Sequence, residues 1–172
     1  MRHEIQDVMQ TEFHAIIKLL ALLLPIRTAA VVVTGLVNGE SVDSGFFIVL
    51  SFGVAFAATT YWIFATKVLL DKNVVREETP FPPGLRSPIE IRHEAVRQFK
   101  FHTGAVYVDG PDARVHVRMG MTDWHHFTRE AYIRACQAQG RRVPISGNPI
   151  WERQAFGSEE EIDAAIAERR DA

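Results

Sequence analysis

Histidine is the side chain best placed for proton or metal chemistry near neutral pH. This chain gathers His93, His102, His116, His125 and His126 in its second half, with its single cysteine, Cys136, close behind. Their spacing argues against a centre. A helical zinc site presents two imidazoles at i and i+4, and no pair here is so spaced. His125 and His126 are adjacent and project from different sides of a helix. One thiol offers no second thiolate, and Cys136 is expected inside a helix beside Arg134 rather than at the exposed helix start that activates a thiol. It reads as inert and buried. There is also no phosphate-cradling glycine loop, no nucleophile elbow and no paired-carboxylate motif. No catalytic residue, metal ligand or cofactor is therefore expected, and the chain reads as a non-enzyme.

The remaining polar candidates are arginines. Arg114, Arg118, Arg129, Arg134, Arg141 and Arg142 crowd the middle of the second half, and Glu159, Glu160, Glu161 and Asp163 close it. Arg114, Arg118, Arg141 and Arg142 are the candidate contacts to anionic headgroups or to an acidic partner surface; the competing reading is a solvated mixed surface. A formal net charge of −2 in 172 residues gives no global attraction to nucleic acid. Trp124, Phe127, Tyr132 and Trp151 read as core residues rather than a base-stacking platform. No nucleic-acid partner is expected.

The elements that must position these groups are of two unlike kinds, although the mean hydropathy of −0.02 suggests one soluble domain. Gly45 to Leu70 is apolar with Lys67 as its only charge, and a helix needs about 20 such residues to cross about 30 Å of hydrocarbon. Tyr61, Trp62, Phe64, Lys67 and Lys72 at its end resemble the aromatic and basic anchors of a lipid boundary. Ala15 to Val37 is a second span, kinked at Pro25, with Lys18 able to snorkel. Arg27 sits near its middle, where a charge costs about 2.5–3.5 kcal/mol, and no acid of the hairpin is in reach. It pairs with a carboxylate or lipid phosphate of another molecule, or Pro25 shifts the helix and lets it snorkel. Within the apolar segments from Ala29 to Thr66 there is no His, Met, Cys, Asp or Glu, so neither metal ligation nor a proton relay can be built there. Glu4, Asp7 and Glu12 are foreign to the basic start of a signal peptide.

Glu40 and Asp43 lie in the connecting loop, whereas Arg2, Lys18, Lys67, Lys72 and Arg76 flank the other ends. The positive-inside rule then puts both termini in the cytoplasm. Small residues Gly53 and Ala57 offer a close-approach face, with Ala30 and Thr34 opposite.

The organisation expected is a cytoplasmic N-terminal helix extension (1–14) and a transmembrane hairpin (15–70, spans 15–37 and 45–70). A Pro-rich linker (71–88) and a cytoplasmic α+β domain (89–172) follow. Within that domain, Ile91, Ala95 and Phe99 suggest a helix, and 105–108 and 115–117 suggest strands around a turn at 109–112. Trp124 to Gln139 suggests a helix capped by Thr122 or Asp123 and ended by Gly140. Residues 141–157 read as loop, and Ser158 with Glu161 as a capping box opening a last helix. About 85 residues make a small core that gains from a membrane surface or partner.

The expectation is an integral protein of the bacterial inner membrane, a structural or accessory subunit without catalysis. It would dock in a secretion, conjugation or energy-transducing complex through other membrane subunits and the lipid bilayer, a homo-oligomer being a further arrangement. Partner or lipid contacts would be Arg27, Gly53, Ala57, Arg114, Arg118, Arg141 and Arg142. The alternative is a two-helix membrane effector or sensor with a ligand-responsive cytoplasmic domain.

Overall fold

A computed structural model of the chain describes residues 9–39, 44–78 and 87–168. Two long apolar helices are set into a small domain of mixed α and β structure. Strand β1 (Met9–Glu12) leads into α1 (Ala15–Val37) and α2 (Ser44–Ala65), and the chain returns as β2 (Lys67–Leu70). β1 and β2 pair antiparallel, Met9 opposite Leu70 and Glu12 opposite Lys67. The helical hairpin is thus an insertion between two neighbouring strands, and both its ends emerge from the same sheet.

β3 (Val74–Glu77) and β4 (Ile89–Arg92) complete a sheet of order β1-β2-β3-β4. A second sheet has the order β7-β6-β5-β8, from β5 (Gln98–His102), β6 (Ala105–Asp109), β7 (Arg114–Arg118) and β8 (Ile145–Gly147). Its β8 runs parallel to β5, and the other pairings are antiparallel. Helices α3 (Trp124–Gln139), α4 (Pro149–Phe156) and α5 (Glu159–Glu168) complete the domain. Alternation along the strands sends Val68, Leu70, Val75 and Ile91 of the first sheet inward. From the second sheet Phe99, Phe101, Val106, Val108, Val115 and Val117 are buried, and α3 adds Phe127, Ala131, Tyr132 and Cys136. Phe99 meets Tyr132 edge-on at 5.4 Å, and Phe101 meets Phe156 at 5.2 Å, a favoured aromatic geometry.

Several sequence expectations need correction. Met9 to Phe13 is not helical, because Thr11 and Phe13 bury at the period of a strand; residues 1–8 lie outside the described ones. The second apolar run ends as a helix at Ala65, and Lys67–Leu70 switches to alternation with Val68 and Leu70 buried. Part of the expected linker is β3, while 79–86 fall outside the described residues. Where Ile91, Ala95 and Phe99 suggested a helix, β4, a 3-10 turn (His93–Ala95) and β5 stand instead. The deciding pattern is Phe99 and Phe101 inward against Gln98 and His102 outward. Within 141–157, β8 and α4 form; Asn148 caps α4 by accepting from the Ile150 amide at 2.9 Å, and Pro149 opens the helix.

The β6–β7 hairpin and α3 stand where the sequence puts them, and Gly140 ends α3 at φ 63°. Asp123 precedes α3 at φ 50° without a side-chain cap, and the Thr122 amide before it donates to the Glu12 carbonyl of β1. The capping box is reciprocal. The Ser158 amide donates to Glu161 Oε2 at 3.1 Å, and the Glu161 amide donates to Ser158 Oγ at 3.2 Å.

Candidate functional site

The long helices touch along one stripe each. On α1 it runs through Ile17, Lys18, Ala21, Pro25, Thr28, Val32 and Gly35; on α2 through Phe46, Val49, Gly53, Phe56 and Thr60. These three-and-four spacings are those of a helix packed along one face. Gly53 is needed at the crossing, since a Cβ there would lie 2.9 Å from Thr28 Cγ2. Ala57 is off this stripe and exposed, as are Ala30 and Thr34.

A side-chain hydrogen bond crosses the interface. Pro25 has no N–H, so the Ala21 carbonyl, four residues earlier, lacks its α-helical donor. The Thr60 hydroxyl donates to it at 2.7 Å. The Thr28, Ser51 and Thr59 hydroxyls instead donate to carbonyls four residues back on their own helix. Outside the stripes the side chains face outward, with Val31, Phe47 and Phe52 all near 60% exposed. The spans Ala15–Val37 and Gly45–Ala65, of 23 and 21 residues, are long and apolar enough to cross a membrane by length and composition.

The base of this hairpin is locked into the domain. Phe13 bridges to Met121, the His14 amide donates to the Gly120 carbonyl, and Lys18 pairs with Glu12 at 2.9 Å. Phe13 meets the Trp62 ring edge-on at 5.7 Å, and the Arg118 guanidinium lies 4.6 Å over that same ring. Arg118 Nη1 donates to Glu77 Oε1 at 2.9 Å, while the His116 amide and Nδ1 approach Oε2 at 3.0 and 3.2 Å.

Glu77 has no exposed surface and is the charged residue on the inner face of β2 to β4. Burial alone would raise its pKa; the His116 side-chain bond, the Arg118 charge and the His116 amide outweigh this and hold it below the usual carboxylate range. The site is therefore a buried, ionised carboxylate that fixes the cation stacked on the hairpin's terminal tryptophan. His116 continues the line outward, its ring edge-on to Tyr107 at 5.1 Å. A groove of about 640 Å³ lies beside it, lined by Arg97, Gln98, Asp109, Arg114 and His116 among others. Chemically, Glu77 can orient the His116 imidazole as acid–base dyads do, and no described hydroxyl or thiol is bonded to that imidazole; Cys136 is 1% exposed within the core.

The sequence-nominated arginines do not converge. Arg114 pairs with Asp109 across the β6–β7 turn and stacks at 5.0 Å over Tyr107. Arg118 belongs to the buried cluster. Arg142 pairs with Asp163, and with Glu159 at 3.8 Å, while neighbouring Arg141 is exposed. Asp109 is also bonded by Gln98; burial opposes its ionisation, but the Arg114 and Gln98 bonds hold it below the usual range.

The histidines are equally dispersed. His93 is buried, with Nε2 at 2.9 Å from the Asp71 carbonyl, and burial lowers its pKa. His125 and His126 are exposed on α3, and no group of three or more metal-binding side chains exists among the described residues.

Sequence reasoning missed Glu77, His116, Arg118 and Trp62 as a connected set, and Thr60 as the donor to the Ala21 carbonyl. The one signal for Glu77 was the alternation of Val-Val-Arg-Glu, easily lost beside the prolines that follow. Arg27 is exposed and faces away from α2. In comparison with known proteins, no family model, no curated protein and no solved structure matches the chain.

Proposed function

We propose that the chain is an integral protein of the bacterial inner membrane whose two long helices span the bilayer. In this reading both termini and the mixed α/β domain are cytoplasmic. It serves as a non-catalytic accessory subunit of a larger membrane assembly, a secretion, conjugation or energy-transducing complex. The observation that carries this reading is that two largely apolar spans of 23 and 21 residues, with almost no buried residue, are continuous with a well-packed domain. Water would penalise so much exposed apolar surface at about 25 cal/mol per Å², whereas lipid and neighbouring helices would not. The acidic, Lys- and Arg-free connection between the helices, against Lys18, Lys67, Lys72 and Arg76 at their other ends, supports the orientation.

The domain's position supports an adaptor role. Because β1 and β2 bracket the hairpin, the domain is held at the helix ends rather than on a tether, a geometry suited to transmitting or resisting force between bilayer and partner. Purification from native membranes in mild detergent tests this reading. A stoichiometric complex with other membrane proteins is expected; a lone monomer with a fully folded domain overturns it.

A second reading, a ligand-responsive membrane effector, is favoured by one observation. The groove beside Arg97, Arg114 and His116 connects through Glu77 and Arg118 to Trp62 at the base of the hairpin. Ligand-dependent oligomerisation with ion leakage in liposomes would select it.

A further inference from the structure

Resting on the reading of the chain as a membrane subunit, we infer that Arg27 marks the docking face for a transmembrane helix of a different protein that carries an Asp or Glu near mid-bilayer.

Arg27 lies about 18 Å along α1 from Ala15 and about 15 Å from Val37 at 1.5 Å per residue. That places it near the centre of a hydrocarbon layer about 30 Å thick, and a snorkelling side chain covers only part of either distance. It precedes Thr28, a residue of the α2-facing stripe, by one position and so points about 100° around the helix from it. Its side chain is exposed, and among the described residues nothing pairs with it.

The chain itself holds no solution. Between Ala15 and Ala65 the only carboxylates are Glu40 and Asp43, in the connection beyond the end of α1. A second copy inserted the same way brings another Arg27 to the same depth and no acid, which is repulsive. The complement must therefore be foreign.

The surface around Arg27 suits a helix. Ala30 and Thr34 lie on its side, exposed and turned away from α2, and small residues let a neighbouring backbone come close. Leu23 and Val31, one turn to either side, are 48% and 61% exposed and supply the apolar flanks. An arginine in this setting forms a bidentate, desolvated pair with a carboxylate far better than with water-exposed groups.

The test uses the full-length protein in its native membranes, with a photo-crosslinking amino acid at Leu23 or at Val31 and the adduct mapped by mass spectrometry. The expected product is an adduct on a membrane helix of another protein, within about one turn of an Asp or Glu. Its yield should fall at least tenfold in Arg27→Leu and fall less in Arg27→Lys, which keeps the charge and loses the bidentate fork. Adducts on lipid alone, on a second copy, or on a helix without an acid overturn the inference, as does an Arg27→Leu yield equal to wild type. If a stoichiometric complex is still recovered in those cases, only the assignment of Arg27 fails. A chain that purifies alone sinks the subunit reading as well.

Discussion

The bond from Thr60 to the Ala21 carbonyl makes a quantitative demand. Pro25 removes the amide that would serve that carbonyl, and the Thr60 hydroxyl replaces it at 2.7 Å from the other helix. In hydrocarbon an unserved carbonyl has no water to turn to. Thr60→Val keeps the shape and deletes the donor. Interhelical hydrogen bonds in bilayers average about 0.6 kcal/mol and reach about 1.7, whereas a buried acceptor left unserved costs about 1–3 kcal/mol. Because no i+4 amide can return to this carbonyl, we expect a cost at the upper end of the first range, about 1.5 kcal/mol. Thr60→Ser should cost much less. Pro25→Ala restores the intrahelical donor, so adding Thr60→Val in that background should cost only about 0.5 kcal/mol, a coupling of about 1 kcal/mol. Reversible SDS titration in bicelles, followed by circular dichroism and tryptophan fluorescence, reads all four members of the cycle. Equal costs of Thr60→Val with and without Pro25 would refute the reasoning, as would no cost in either.

The Glu77 cluster responds to charge and to pH. Glu77→Gln leaves Arg118 beside a neutral partner in a buried site and should destabilise the domain by about 3–5 kcal/mol in denaturant titration, the range for breaking a buried pair. Since the folded carboxyl titrates below its unfolded value, its contribution is complete above the ordinary carboxylate range and is lost as pH falls from that range through the lower folded value; the variant should lack that part of the acid dependence, and an unchanged pH profile would count against it. Gly53→Ala should weaken helix pairing by about 1 kcal/mol, with rescue by Thr28→Ala, whereas Ala57→Leu should leave pairing unchanged in the same SDS titration. Ser158→Ala should cost about 1 kcal/mol through its lost cap, seen as lower hydrogen-exchange protection confined to α5.

The legible parts of this fold were those whose signal is local. Two long apolar runs, the β6–β7 hairpin, the 3.6-residue period of α3 with Gly140 behind it, and the reciprocal Ser158–Glu161 cap each stand within a few neighbouring residues. What escaped depends on pairing across the insertion. Met9 to Glu12 becomes a strand because Lys67–Leu70 returns beside it, more than fifty residues later. Ile91, Ala95 and Phe99 share a helical spacing by coincidence, and the strand period is decided by β6 and β8 on either side of β5. Arg27 and Gly53 could be nominated from type and position alone. Glu77 could not, because what singles it out is the company of His116, Arg118 and Trp62, brought together only by the two sheets.

In the proposed reading the hairpin crosses a bilayer with the domain held on the cytoplasmic side. Single cysteines at Ser41, at Val31 and at Asp112, each in a Cys136→Ala background and labelled with a membrane-impermeant maleimide in intact and in permeabilised cells, test this. The account predicts labelling of Ser41→Cys from outside, of Asp112→Cys only after permeabilisation, and of Val31→Cys in neither case. Val31→Cys labelling freely, or Ser41→Cys and Asp112→Cys becoming reactive together, would contradict it.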